Sequence, residues 1–242
     1  MSKSQLDKLG VRLARMEYSA DELRMLDEYR RSFAPASDAV LQVLRSEFSL
    51  SPTARPAKST AAIVEKLVRQ RTRLTQIQDI AGCRIVVSTI SEQKRVAKML
   101  VGRFPGAQMF DRVTEPNHGY RAIHVVVQTE RRAVEIQIRT ELQHMWAALS
   151  EKAADRFDHA LKYGGGPERI REALSRLSTW AHDVDWKIDL VQVIGPGVEK
   201  TGDTDLQKLY RQTSAELAED RRILSEAFAA LAEDPDELLD TE

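Results

Sequence analysis

The chain has 242 residues, 42% of them hydrophobic and 30% charged, with a formal net charge of −1, enough for one sizeable core with helical appendages. So balanced a charge excludes a global field that would draw the chain to nucleic acid or a membrane surface. The single cysteine, Cys83, excludes an intramolecular disulfide. The N-terminal stretch lacks an apolar signal core and no apolar run reaches the length of a membrane span. A cytoplasmic protein in a reducing compartment, with no membrane partner, is therefore expected.

In chain order, Ser19-Ala-Asp-Glu22 forms a capping box that opens a helix through Leu23, Leu26 and Tyr29 to about Phe33. Pro35 is expected to break it and Ser37 to cap a second helix carrying Val40, Leu41, Leu44 and Phe48. A third helix, from Ser59 to about Gln70, buries Ile63 and Leu67. The pattern then changes. Ile80–Val87 is apolar and β-branched, with Gly82 allowing close backbone approach, and reads as a strand around a buried Cys83. Ser91–Phe104 reads as an amphipathic helix with Val96, Leu100 and Val101 inward, and Ala107–Val113 as a strand. Arg121–Gln128 and Ala133–Arg139 are strands around a turn at Glu130-Arg131, and Thr140–Asp158 and Pro167–Val193 are helices. The last helix, Asp205 to about Leu231, spaces Leu206, Tyr210, Thr213, Leu217, Asp220, Leu224, Ala227 and Leu231 as a heptad seam. That seam is open to packing on its own domain or to pairing with another chain, and a homo-oligomer through it is expected. The fold class is α+β, a mixed sheet flanked by helices. Its expected parts are an N-terminal helical segment (1–52), a core (53–163), and C-terminal helices with an acidic tail (164–242).

Charge is distributed unevenly along these elements. Ala54 to Arg103 holds eleven lysines and arginines against three acids, while Gln212 to Glu242 holds ten acids against two arginines. The basic middle suggests a polyanion site. Within it, Asp79 stands at the mouth of the first strand. Alternation along Val134–Arg139 sends Glu135, Gln137 and Arg139 to one face, and the preceding strand offers Tyr120 and His124 to a common surface. A line of acid, amide and guanidinium is costly to bury unless it lines a site. Two carboxylates from separate strands, Asp79 and Glu135, suit one Mg²⁺ that also holds nucleotide phosphates. Arg55, Lys58, Lys66 and Arg84 would neutralise a triphosphate beside them. The sequence has no Walker A loop and no cysteine pair spaced for zinc, and His144 and His182 read as structural.

Gln78–Val87, Gly119–Val127 and Val134–Ala147, with Lys58 followed by Ile63-Val64-Glu65-Lys66-Leu67, resemble in order and spacing the synthetase domain of the RelA/SpoT family. The resemblance covers roughly Arg55 to Lys152. It implies a nucleotidyltransferase-like sheet and transfer of the β,γ-pyrophosphate of ATP to the 3′-hydroxyl of GDP or GTP, with product degradation left to another protein. It also implies that Asp79 and Glu135 hold Mg²⁺, with Glu135 helping to deprotonate the attacking hydroxyl. Lys58, Lys66 and Arg84 would grip donor phosphates. Tyr120 would stack on the acceptor base, and His124, Gln137 and Arg139 would lie near the acceptor.

The sequence departs from the family pattern in two places. Arg55 stands three residues before Lys58, one further than usual, and Ala62 replaces a serine for which Ser59 either substitutes or merely caps the helix. The acceptor loop Asp111–Tyr120 is one residue short and lacks a lysine. That departure leaves open two rivals: a toxin-like relative acting on tRNA or adenosine nucleotides, and an impaired homologue that only binds nucleotide.

Overall fold

A computed structural model describes residues 1–55 and 57–239; the last three residues of the acidic C-terminal tail lie outside the described residues. Eight α-helices, Lys3–Ala14 (α1), Ala20–Arg31 (α2), Ala34–Ser46 (α3), Thr60–Gln70 (α4), Ile90–Arg103 (α5), Glu141–Arg156 (α6), Glu168–Lys200 (α7) and Thr204–Glu233 (α8), accompany five strands among the described residues. The strands are Thr53–Arg55 (β1), Ala81–Val87 (β2), Gln108–Asp111 (β3), Ile123–Thr129 (β4) and Arg132–Thr140 (β5), in the sheet order β1-β2-β5-β4-β3. β1 runs antiparallel to β2, with Arg55 opposite Gly82. The α+β class read from the sequence holds.

Gly82 is required where β2 meets β5, because a Cβ there would lie 2.5 Å from the carbonyl oxygen of Glu135. β4 and β5 form a hairpin whose two central residues, Glu130 and Arg131, both have positive φ (47° and 59°). Left-handed pairs of this kind match the twist of the strands they join.

The chain divides into two compact units: Met1–Ile85 with Met99–Phe110 and His124–Gln137, and Val86–Lys98 with Asp111–Ile123 and Ile138–Glu242. The first has a core built on Leu6, Leu13, Leu26, Ile63, Leu67 and Leu74, drawn largely from α1, α2 and α4. The second centres on Leu142, Trp146, Leu174, Leu224 and Phe228 of α6, α7 and α8. Among the described residues no helix is long and apolar enough to cross a membrane.

Several elements differ from the sequence reading. α1 has no counterpart in that reading, although Ser2 and Gln5 form a complete capping box at its start. Ser37 does not cap a helix. α3 begins at Ala34, with Pro35 in the first turn, where a missing N–H costs nothing. Val101 is exposed, and Ala97 is buried beside Val96 and Leu100 instead. α7 continues past Val193 through Gly195 and Pro196 to Lys200. The absence of a side chain at Gly195 leaves room for the Tyr210 ring of α8. The heptad seam splits. Leu217, Leu224 and Leu231 are buried within their own unit, while Leu206 at the start of α8 is exposed.

Candidate active site

The first unit gathers the charged residues. Asp79 lies just before β2, held between two lysines: Lys58 Nζ is 3.1 Å from Oδ2, and Lys66 Nζ is 2.8 Å from Oδ1. Lys58 is fixed by its backbone N–H, which donates to the Ile80 carbonyl at 2.9 Å, and Lys66 projects from α4. Burial pushes the Asp79 carboxyl up. Lys58 and Lys66 outweigh that push despite a further upward contribution from Glu135, so Asp79 stays below its ordinary range.

Glu135, on β5, is 9% exposed. Its carboxylate accepts from Arg55 (3.0 Å) and from the Gln137 amide (2.8 Å), and its other oxygen lies 3.0 Å from His124 Nδ1. Burial alone raises its pKa, but the His124 hydrogen bond and charge, then Gln137 and Arg55, overwhelm that and hold it far below the carboxylate range. Arg55 reaches this cluster in spite of its shifted place in the sequence. Arg84 is half-buried on β2, paired in register with Thr53. Ser59 is spent as the N-cap of α4, where its hydroxyl accepts from Ala62 N–H at 3.2 Å. Cys83 is fully buried, and burial pushes its thiol up to about 12. A cavity of about 420 Å³ opens beside Arg55, lined also by Arg30, Phe33, Leu41, Ala54 and Ala81.

The second unit holds a different pair. Arg139, 3% exposed, donates to the Tyr120 hydroxyl at 2.9 Å, and its guanidinium carbon lies 5.0 Å from the ring centroid. Tyr120 leaves a tight turn closed by reciprocal backbone bonds with Asn117, with His118 and Gly119 at φ 52° and 86°. A Cβ on Gly119 would lie 2.7 Å from the Trp146 ring, so only glycine fits.

Buried polar groups surround the end of β5. Gln93 donates to the Ile138 carbonyl (2.7 Å) and to Gln143 (2.8 Å). Thr140 caps α6 and donates from its hydroxyl to Asp185, which is 2% exposed. Asp185 and Ser178 are absent from the sequence reading. A signal for them exists, since both stand in the apolar stripe Ile170, Leu174, Ser178, Ala181, Asp185 of α7, where a polar residue needs a partner.

As for a metal, the described residues contain no cluster of three or more His, Cys, Asp or Glu side chains. Asp79 and Glu135 are both kept ionised, and two hard oxygen donors suit a cation that takes its remaining ligands from phosphate and water. The donor set fits such an ion.

A five-stranded sheet flanked by helices, bearing two ionised acids, one buried and one half-buried, among lysine and arginine, defines a nucleotidyltransferase-like protein. The region found in RelA/SpoT proteins matches residues 55–163. Protein Rv1366 of Mycobacterium tuberculosis is 39% identical over 118 residues, 47% of this chain and 43% of that protein. The chain thus spans less than half the length of this relative. The GTP pyrophosphokinase YjbM of Bacillus subtilis is 34% identical over 145 residues, 53% of this chain and 65% of that one. The crystal structure of small alarmone synthetase 1 from Bacillus subtilis, bound to its product pppGpp, superposes with a TM-score of 0.55 at 27% identity, covering 72% of this chain and 97% of that one. Residues 55–163 of this chain are thus similar to the region found in RelA/SpoT proteins.

Proposed function

We propose that the chain is a pyrophosphokinase that transfers the β,γ-pyrophosphate of ATP to the 3′-hydroxyl of GDP or GTP. The observation that carries this reading is the pair of ionised carboxylates, half-buried Asp79 and buried Glu135, each already facing cations that a triphosphate would draw away. The pppGpp bound to the Bacillus small alarmone synthetase supports a guanosine acceptor.

In this reading Asp79 and Glu135 hold Mg²⁺, which when bound neutralises phosphate charge and polarises the transferring group. Lys58, Lys66 and Arg84 hold the donor phosphates, and the cavity beside Arg55 is of a size to take the donor nucleoside. The acceptor 3′-oxygen forms a bond to the β-phosphorus of ATP. The bond from that phosphorus to the oxygen bridging to the α-phosphate breaks, and AMP leaves with the electron pair. The hydroxyl proton passes to Glu135. Glu135 is held ionised chiefly by His124, then by Gln137 and Arg55, so it carries no proton when the hydroxyl arrives. Tyr120 stacks the acceptor base, and His124, Gln137 and Arg139 orient the acceptor. Although the acceptor loop is short, it closes in a tight Asn117–Tyr120 turn that leads directly into Tyr120.

The test is incubation with Mg²⁺ and γ-³²P-ATP in the presence of GDP, GTP, ADP, ATP or bulk tRNA. Label on GDP and GTP, with one AMP released per label, is expected. Label confined to tRNA or adenosine nucleotides would replace the acceptor assignment. Absence of both label and AMP would leave a nucleotide-binding homologue.

A further inference from the structure

We propose that Ser178 and Asp185, two turns apart on one face of α7, are positioning residues that fix the acceptor-binding pair Tyr120–Arg139 from behind. The proposal rests on the acceptor role given to Tyr120 above, and deepens it. Tyr120 and Arg139 are joined to each other by a hydrogen bond and a cation–π contact. Neither is fixed by that contact alone, because a pair can shift as a unit. What fixes it is the backbone on either side.

Gly119 immediately precedes Tyr120, and its carbonyl accepts the Ser178 hydroxyl at 2.5 Å. The same glycine is wedged against Trp146, whose indole N–H donates to the Leu174 carbonyl of α7 at 2.8 Å. Thr140 immediately follows Arg139. Its hydroxyl accepts the Gln143 N–H at 3.1 Å, as the cap of α6, and donates to Asp185 at 2.5 Å. Ser178 and Asp185 are 3% and 2% exposed, so neither bond competes with water. One helix face therefore holds the residue before Tyr120 and the residue after Arg139.

A purely structural polar contact would serve equally well anywhere along the helix. Here both contacts fall next to the two residues assigned to one ligand. A base that stacks on Tyr120 gains only from a ring already in place, since ordering it on binding costs affinity. Ser178 and Asp185 supply that order without touching the nucleotide.

The experiment compares Ser178→Ala, Thr140→Val, Asp185→Ala and Tyr120→Ala in the full chain, by steady-state kinetics with GDP and ATP varied in turn. Asp185→Asn and Thr140→Ser serve as conservative partners, since the first keeps an acceptor oxygen and the second keeps the hydroxyl. Loss of one buried hydrogen bond predicts a rise of about fivefold to tenfold in the KM for GDP, with the KM for ATP unchanged. The conservative variants should recover most of that loss. Should Asp185→Ala fail to fold, Ser178→Ala and the Thr140 pair carry the test. Equal rises in both KM values, or no rise in a folded variant while Tyr120→Ala raises the KM for GDP, would overturn the positioning role alone. A Tyr120→Ala protein with an unchanged KM for GDP would overturn the acceptor assignment, and the positioning role with it.

Discussion

Each unit of this protein buries an acid, and the two carboxyls are shifted in opposite directions. In the first unit Glu135 is ringed by Arg55, His124 and Gln137, and these partners hold it ionised against the cost of burial. In the second, Asp185 is buried as deeply but meets chiefly the hydroxyl of Thr140. Burial raises its carboxyl to about 7, with Thr140 and Arg221 opposing and Glu141 and Asp189 adding to the rise. Burial is thus common to both, and the partners decide the charge. The difference suits the role proposed for each acid. A carboxylate that has to hold a cation must be charged before the cation arrives. One that holds a hydroxyl in place needs only an acceptor oxygen, which it has in either protonation state.

The sharpest way to break this comparison is Glu135→Gln. The amide keeps the size of the side chain and can still accept from Gln137, but it cannot hold a cation or take the 3′-hydroxyl proton. Turnover should fall by at least about a thousandfold, several kcal/mol of transition-state stabilisation, while the circular dichroism spectrum stays that of the wild type. Near-normal turnover would remove Glu135 from the chemistry and leave its charged state as a matter of folding alone.

A smaller effect is expected from Arg55→Ala, which tests whether an arginine one place out of the family pattern still serves the donor. Its guanidinium is one-third exposed, so its pairing with Glu135 contributes little stability. Its expected worth lies in binding: the KM for ATP should rise about tenfold, a little over 1 kcal/mol, and the KM for GDP should hardly change. An unchanged KM for ATP would mean that Lys58 and Lys66 suffice and that the shift in register cost the site its arginine.

These contrasts are unequally legible in the sequence. Glu135 can be read because strand alternation sets it on one face with Gln137 and Arg139, and Asp79 because it stands at the mouth of an apolar strand. Their partners Lys58 and Lys66 lie eight residues apart, and the spacing of the family motif is enough to link them. That Arg55 lands on Glu135 is not legible, since it depends on the pairing of β1 with β2, eighty residues from β5 in the chain. The helical ends mislead where two signals compete. Pro35 and Ser37 both mark helix starts, and the proline prevails because its ring fits the first turn. Gly195-Pro196-Gly197 reads as a stop for α7 near Val193. The helix nevertheless continues to Lys200, with Tyr210 lying against Gly195. Ser178 and Asp185 are legible in principle, as polar gaps in an apolar stripe, but nothing local says what such a gap will hold.

The remaining expected effect is one of stability and not of activity, and it asks whether Asp185 is in the state assigned to it. Its folded pKa of about 7 stands above the ordinary carboxylate value of 3.8. Between those two values the folded chain keeps a proton that the unfolded chain has lost, so stability falls as pH rises through this window and is level above it. Asp79 and Glu135 slope the other way: their stabilisation is present above the unfolded carboxylate pKa and is lost only as pH falls through their depressed folded values. A melting curve of the wild type alone would mix the two. Asp185→Asn separates them, because the acids of the first unit are the same in both proteins and cancel in the difference. The variant should match the wild type near pH 4 and gain on it up to pH 7. The advantage should then level off at about 4 kcal/mol, or roughly 10 °C in Tm. Arg221, Glu141 and Asp189 face the same carboxyl and set the exact midpoint, so the shape of the difference with pH is the measurement, more than its size. A difference that does not vary from pH 4 to 8 would show Asp185 charged throughout. The two buried acids would then be alike, and the second unit would have to find a cation for Asp185 as the first does for Glu135.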